Sequence, residues 1–367
     1  MKPFPAFARD WGWFWLLWPP SWWAILSSSK DFTSGGVLGS RVLNGVGLHV
    51  WRKRLANKLC SRRRARMRAH LPSETTRQWD QTGYMRIDDF LELDQWAGLC
   101  GELLHATFQM AEMTQPPAVT RRAYLDANTC QHRYPNLLQL ITDDRLIGLL
   151  HYAAGYPGRP VVAVQCVHSA LEDPTGQADP QTEWHSDTFH SAAKAWLFLH
   201  AVGAEDGPFS YWSGSHKTTA QRLQWELAAS ETAASHPNRL HARGSFRASE
   251  EDLVAMGYGD PMVATVPGNT LIIADTSGFH RRMPSPRTTV RVEVYFSLRR
   301  NPYWAGLFPS LLGWPVLRAR WAGWLFAWYV WLHARGTPSW IPREAPGLTD
   351  SEKQGLRASA PLNSTLR

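Results

Sequence analysis

Side chains able to do chemistry crowd most densely into TEWHSDTFH, residues 182–190. In a strand, or at its end, alternate side chains share a face, so His185 and Asp187 project together while Ser186 turns away. An imidazole beside a carboxylate is two-thirds of a 2-His-1-carboxylate facial triad, the ligand set that leaves iron(II) open positions for a bidentate oxo-acid and dioxygen. The pair alone is a common pattern, and the third ligand must come from elsewhere. GNTLIIADTSGFHRR, residues 268–282, supplies the candidate: turn, strand, turn, then His280 at the strand's edge, 93 residues past Asp187. Eleven residues further on, Arg291 sits in the alternating run VRVEVYF. A buried guanidinium needs an anion, and its planar fork suits a carboxylate such as the far end of 2-oxoglutarate. A surface salt bridge with Glu293 is the competing reading. Alternation sets Arg291 opposite Val290, Val292 and Val294 without saying which face is inside.

Those residues need strands to position them. VVAVQCVHS (161–169), AWLFLHAV (195–202), MVATV (262–266), TLIIA (270–274) and VRVEVYFSL (290–298) are short and β-branched, and turn residues separate most of them. Ahead of them the pattern is largely helical. Ser73 opens a segment ending near Gly83, and TGYMRIDDFL (82–91) holds a short strand. Leu93, Trp96, Leu99, Leu103 and Leu104 repeat at helical spacing within 91–113, and 136–153 reads as another helix. Residues 218–260 are polar and partly helical, an insertion. Helices followed by short strands predict a mainly-β jelly roll with flanking helices.

The ends of the chain differ from its middle. Of 20 tryptophans, six lie between Trp11 and Trp23 and seven between Trp304 and Trp340. The apolar stretch at 11–26 is 16 residues long and interrupted by Pro19-Pro20, too short for a span of roughly 20 residues and broken by its prolines. It suits an interfacial anchor, where indole rings sit at head-group level, or an arm packed on the protein itself. Nine basic residues and no acidic one lie between Arg52 and Arg68, so the net charge of +8 is local. Such a run favours an anionic membrane surface on the cytoplasmic side, and no nucleic-acid signature accompanies it. Residues 318–335 place Trp321, Trp324, Leu325, Trp328, Trp331 and Leu332 at helical spacing between basic ends, as in an interfacial helix; docking onto the domain through the tryptophan face is the alternative. Residues 345–367 read as disordered. The cysteines Cys60, Cys100, Cys130 and Cys166 form no CxxC pair and give no disulfide framework.

The middle of the chain resembles the phytanoyl-CoA dioxygenase-like branch of the iron(II)/2-oxoglutarate oxygenases. The matching pieces are WHSD (184–187), DGPFSYWSGSHK (206–217), GNTLIIAD…HRR (268–282) with Arg291, and TGYMRIDDFL (82–91). One departure is Ser213, where the family usually has proline before G-S-H. The resemblance, over residues 78–300, implies a double-stranded β-helix, iron(II) on His185, Asp187 and His280, and Arg291 as the 2-oxoglutarate clamp. It implies 2-oxoglutarate and dioxygen as cosubstrates, ascorbate as an auxiliary reductant, and no catalytic residue beyond the metal centre. Related halogenases lack the carboxylate; the presence of Asp187 therefore favours hydroxylation. His216 reads as structural, His168, His190 and His200 stay unassigned, and Thr188 and Arg282 are candidate substrate contacts.

The expected organisation is an anchor plus basic segment (1–72), an oxygenase domain (73–303, insertion 218–260), a membrane-interface segment (304–344) and a tail (345–367). The expected function is hydroxylation of a lipid or lipid-linked substrate on the inner, cytoplasmic face of a membrane. The rivals are a catalytically inactive membrane-associated jelly-roll binding protein and a metal-dependent hydrolase using the same His/Asp/His site.

Overall fold

Alternation along one long strand sets the architecture. In the computed structural model, which describes residues 22–34, 36–131, 133–169, 179–307, 314–336, 340–343 and 346–359, β10 (Thr289–Leu298) sends Val292, Val294, Phe296 and Leu298 into the main hydrophobic core. Its odd residues Arg291, Glu293 and Tyr295 face a cavity on the other side. The other strands, in chain order, are β1 (Tyr84–Ile87), β2 (Ala111–Gln115), β3 (Ala118–Leu125), β4 (Val161–Ser169), β5 (Ala193–Phe198), β6 (Phe209–Trp212), β7 (Pro261–Val263), β8 (Thr270–Asp275), β9 (His280–Arg282) and β11 (Ile341–Pro342). They form an antiparallel eight-stranded sheet ordered β1-β8-β5-β10-β4-β3-β2-β11 and a three-stranded sheet ordered β7-β6-β9. Trp196 of the large sheet meets Phe209 of the small one with ring centroids 4.6 Å apart. Two sheets facing across such a layer make the jelly-roll core expected from the strand pattern.

The outer face of the large sheet is covered by helices. The α-helices among the described residues are α1 (Arg41–Gly45), α2 (Leu48–Met67), α3 (Ser73–Thr82), α4 (Leu93–Leu104), α5 (Ala127–Cys130), α6 (Pro135–Ile141), α7 (Asp144–Ala154), α8 (Ala220–Thr232), α9 (Arg239–Ala242), α10 (Glu250–Ala255), α11 (Pro315–His333) and α12 (Asp350–Ser359), of which α4, α6 and α7 pack on that face. Leu99 and Leu103 of α4, Leu137 and Leu140 of α6, and Leu146, Leu149 and Leu150 of α7 pack against Val164, Leu197 and Ile273. Each fully buried aliphatic side chain contributes about 1.5–3 kcal/mol. The helix expected over 91–113 stops at Leu104, because its apolar period ends there and the chain turns into β2. The one expected over 136–153 divides at Asp143, whose carboxylate caps α7 by accepting from the Leu146 amide.

Two expectations for the ends change. The tail read as disordered contains α12, held by Glu352, whose fully buried carboxylate pairs with Arg121 and lies 2.8 Å from His168 Nε2; residues 360–367 lie outside the described residues. Local polarity hid this, because the attraction is a single charged anchor to β3 and β4. Burial would raise the Glu352 pKa, but His168 and Arg121 pull it down to about 2. A depressed carboxylate stabilises the docked state above its ordinary value of about 4.5 and loses that contribution as pH falls towards 2. Hydrogen exchange of α12 amides should therefore accelerate between those limits, ahead of the sheet.

The basic run, expected to face an anionic surface, is in part interior. Arg52, Lys53 and Arg64 of α2 are buried. Arg52 donates to the carbonyls of Ile25, Ser27 and Ser29, and Arg64 to those of Tyr152 and Ala153 and to the Ser191 hydroxyl. Lys53 lies 2.8 Å from Glu226 of α8, a carboxylate also met by His49 at 2.9 Å and Arg222 at 2.7 Å. Among the described residues no helix is long and apolar enough to cross a membrane; residues 1–21, with most of the first tryptophan cluster, lie outside them.

Candidate metal centre

His185 and His280 are brought together by backbone. Each donates its amide hydrogen to the other's carbonyl, at 3.0 and 2.9 Å, a one-residue antiparallel bridge between the 182–190 loop and β9. The Asp187 amide then donates to the Thr276 carbonyl at 2.8 Å, pinning the H-x-D turn to the β8–β9 connection. That connection requires Gly278, since a Cβ there would stand 1.9 Å from the Tyr211 hydroxyl oxygen.

The side chains converge as the backbone directs. One ligand atom from each of His185, Asp187 and His280 lies within 4.8 Å of the others, and the two imidazole centroids are 4.4 Å apart. His185 Nδ1 is 2.8 Å from the Glu183 carbonyl and His280 Nδ1 is 3.0 Å from the Gly278 carbonyl. A carbonyl only accepts, so both Nδ1 atoms carry hydrogen and both Nε2 atoms present a lone pair to the centre. Burial, reinforced by His280, holds His185 well below the ordinary imidazole range; burial likewise lowers His280. Burial thus favours the neutral form of each ring, the form that metal ligation demands. Burial would raise the Asp187 pKa, but Lys194 and then the two histidines outweigh it and hold the carboxyl well below its usual range. Two neutral imidazoles and one ionised carboxylate fit a ferrous ion.

The surrounding cavity, about 200 Å3, lies between the sheets and includes Trp196, Phe198 and Phe209 as well as Arg291. Arg291 is buried, so its strand face is inward. Its Nε lies 3.4 Å from Glu293 Oε2, and it also donates to the Gly207 carbonyl. Glu293 is indeed its neighbour, but the pair lines the cavity instead of the surface.

The sequence matches the phytanoyl-CoA dioxygenase (PhyH) family over residues 79–260. The chain belongs to the phytanoyl-CoA dioxygenase family. It is accordingly a non-haem iron, 2-oxoglutarate-dependent enzyme, with iron(II) as cofactor and 2-oxoglutarate and dioxygen as cosubstrates. The family match spans His185 and Asp187 and ends before His280 and Arg291; the geometry brings His280 to the pair. Solved structures similar to this phytanoyl-CoA dioxygenase-family chain include the non-haem alpha-ketoglutarate-dependent epimerase SnoN from nogalamycin biosynthesis, at 16% identity over 61% of this chain and 81% of that one (TM-score 0.40). HygX from Streptomyces hygroscopicus, with nickel and 2-oxoglutarate bound, is 20% identical over 62% and 86% (TM-score 0.38). EctD from S. alaskensis, with 2-oxoglutarate and 5-hydroxyectoine, is 17% identical over 63% and 76% (TM-score 0.37). Comparison with curated proteins finds no match.

The site of this PhyH-family chain also holds residues that sequence reasoning missed. Lys194 of β5 lies 2.6 Å from Asp187 Oδ2, and a lysine in the otherwise apolar AKAWLF was the available signal. Lys30 donates to the Asp187 carbonyl from the N-terminal segment, with burial lowering its pKa to about 8; nothing in its local sequence announces this. That segment lies against Gly244, at φ +78°, where a Cβ would stand 2.0 Å from the Lys30 carbonyl oxygen. The remaining histidines have structural partners: His168 the Glu352 carboxylate, His190 the Ser191 carbonyl, His200 the Ala201 carbonyl and the Val292 amide. His216 packs edge-on against Trp79. Arg282 lines the cavity but is paired with Asp179, and Thr188 is buried.

Lys194 makes a testable contribution. Since its ammonium is the chief group depressing the Asp187 pKa, Lys194→Met should raise that pKa. Iron(II) release on acidification, followed by titration at a series of pH values, should then begin at higher pH than in the wild type.

Proposed function

We propose that this chain is a hydroxylase that holds iron(II) on His185, Asp187 and His280 and binds 2-oxoglutarate through Arg291, acting on an unactivated C–H bond of a lipid or lipid-linked substrate at a membrane surface. The observation that carries the metal assignment is the pair of Nε2 lone pairs and the ionised carboxylate meeting at one cavity wall. With iron bound, the centre supplies the oxidative chemistry of the family. The chain's own residues do the rest. The Glu183 and Gly278 carbonyls fix the imidazole orientation, and Lys194 holds the Asp187 carboxylate ionised. Arg291 exchanges its contact with Glu293 for the cosubstrate's distal carboxylate, while Trp196, Phe198 and Phe209 keep water away from the reacting bond.

The membrane reading is supported by α11. It docks through Ala322, whose amide donates to Asp126 at 3.0 Å, and through Trp321 and Tyr329 against Tyr124. That leaves Trp324, Trp328 and Trp331 49, 52 and 43% exposed, in a stripe running from Arg320 to Arg335. Trp328 and Trp331 stack at 4.7 Å, and the Arg335 guanidinium lies 3.5 Å over Trp331. Exposed indoles between two basic ends suit a lipid head-group layer.

Anaerobic titration of the iron(II) protein with 2-oxoglutarate should produce the weak visible charge-transfer band of the chelate, and in air succinate should form. Bound metal with neither signal would refute the oxygenase assignment and favour a hydrolase. Vesicles containing anionic lipid should capture the wild type and release the triple variant Trp324→Ser/Trp328→Ser/Trp331→Ser; equal capture would remove α11 from the proposal.

A further inference from the structure

We propose that the cavity between α2 and the G-S-H-K loop is a second binding site, built for a phosphate-bearing anion. The cavity is about 420 Å3 and shares no lining residue with the metal cavity. Its walls carry Arg54, Lys58 and Arg64 from α2 and Lys217 from the loop, with Ser61 and Thr218 hydroxyls between them, and no carboxylate lines it. Arg54, Lys58 and Ser61 share one helix face by their spacing, and Lys217 closes the cavity from the opposite side.

The charge lining the cavity is uncompensated. Arg68 pairs with Asp80, Arg222 with Glu226 and Arg282 with Asp179. Arg64, at the floor, is spent on two carbonyls and the Ser191 hydroxyl, with Asp275 at 3.8 Å. Arg54, Lys58 and Lys217 are exposed and form no ion pair among the described residues. The buried Trp79 on the same wall has an indole N–H with no acceptor among the described residues. Ammonium and guanidinium donors with hydroxyls around a concave site match the several oxygens and double charge of a phosphate better than a single carboxylate. The phosphate's source is a soluble phosphorylated compound or a phospholipid head group.

The probe is inorganic pyrophosphate, titrated calorimetrically into the full-length protein at fixed ionic strength. Saturable binding is expected, weakened about tenfold or more in Lys58→Gln/Lys217→Gln and by less than about threefold in Arg62→Gln/Arg66→Gln, whose exposed charges lie on α2 outside the cavity. Equal loss in both variants would overturn the site, leaving α2 a general polycation. A second arm uses phosphatidylcholine vesicles with and without phosphatidic acid. Capture that needs phosphatidic acid together with Lys58 and Lys217 assigns the phosphate to a lipid, and pyrophosphate binding without capture assigns it to a soluble ligand. No saturable response to either probe refutes the proposal.

Discussion

His280→Ala should eliminate iron-dependent turnover. With one of the three proposed ligands gone, iron(II) affinity is expected to fall by about two orders of magnitude or more, and succinate formation with it. The fold should survive, because the His185–His280 bridge is made by backbone atoms that alanine retains. Circular dichroism and thermal unfolding close to wild type, with no charge-transfer band and no succinate, is the expected combination. Asp187→Ala should abolish turnover as well, by a different route. It removes the anionic ligand and leaves Lys194 as an uncompensated cation facing the site. A variant of either kind that still bound iron and released succinate at the wild-type rate would show that the metal sits elsewhere.

The second large effect is expected far from the metal. Glu226 is the single carboxylate shared by His49, Lys53 and Arg222, all buried. Burial would raise its pKa, yet Lys53 and Arg222 hold it well below the usual carboxylate range. Glu226→Ala leaves two cations in a low-dielectric interior without their shared carboxylate, Arg222 keeping its bonds to the Ser215 and Ser277 carbonyls, a change that costs about 3–5 kcal/mol. Chemical denaturation should show that loss, with active-site spectra of the surviving folded fraction unchanged. A loss under 1 kcal/mol would mean that water reaches the cluster and screens it.

What could be read from sequence followed from periodicity and from local motifs. β4 is found at the residues its β-branched run marked, and β10 within one residue of them, because a strand buried on both faces writes its pattern directly into the chain. The convergence of His185 and Asp187 with His280 was legible because each lies in a recognisable turn-and-strand context. Other features depend on contacts between residues far apart in the chain. Arg52 and Lys53 look like surface charge in a basic run, and only α8 and the 25–29 carbonyls make them interior groups. Glu352 sits in a polar tail whose docking rests on Arg121 and His168, more than 180 residues earlier. Arg291 and Glu293 share a face by alternation, but the inward direction of that face depends on the small sheet opposite it.

The N-terminal arm has a practical consequence for anyone cutting the chain at the family boundary. A fragment beginning at residue 79 would strip Glu226 of His49 and Lys53, two of its three side-chain partners, uncap the carbonyls at the end of α7 that Arg64 serves, and unfasten the Asp187 loop from Lys30. The span matched to the family is therefore shorter than the span these contacts tie together, and heterologous expression of the matched part alone should yield aggregated material.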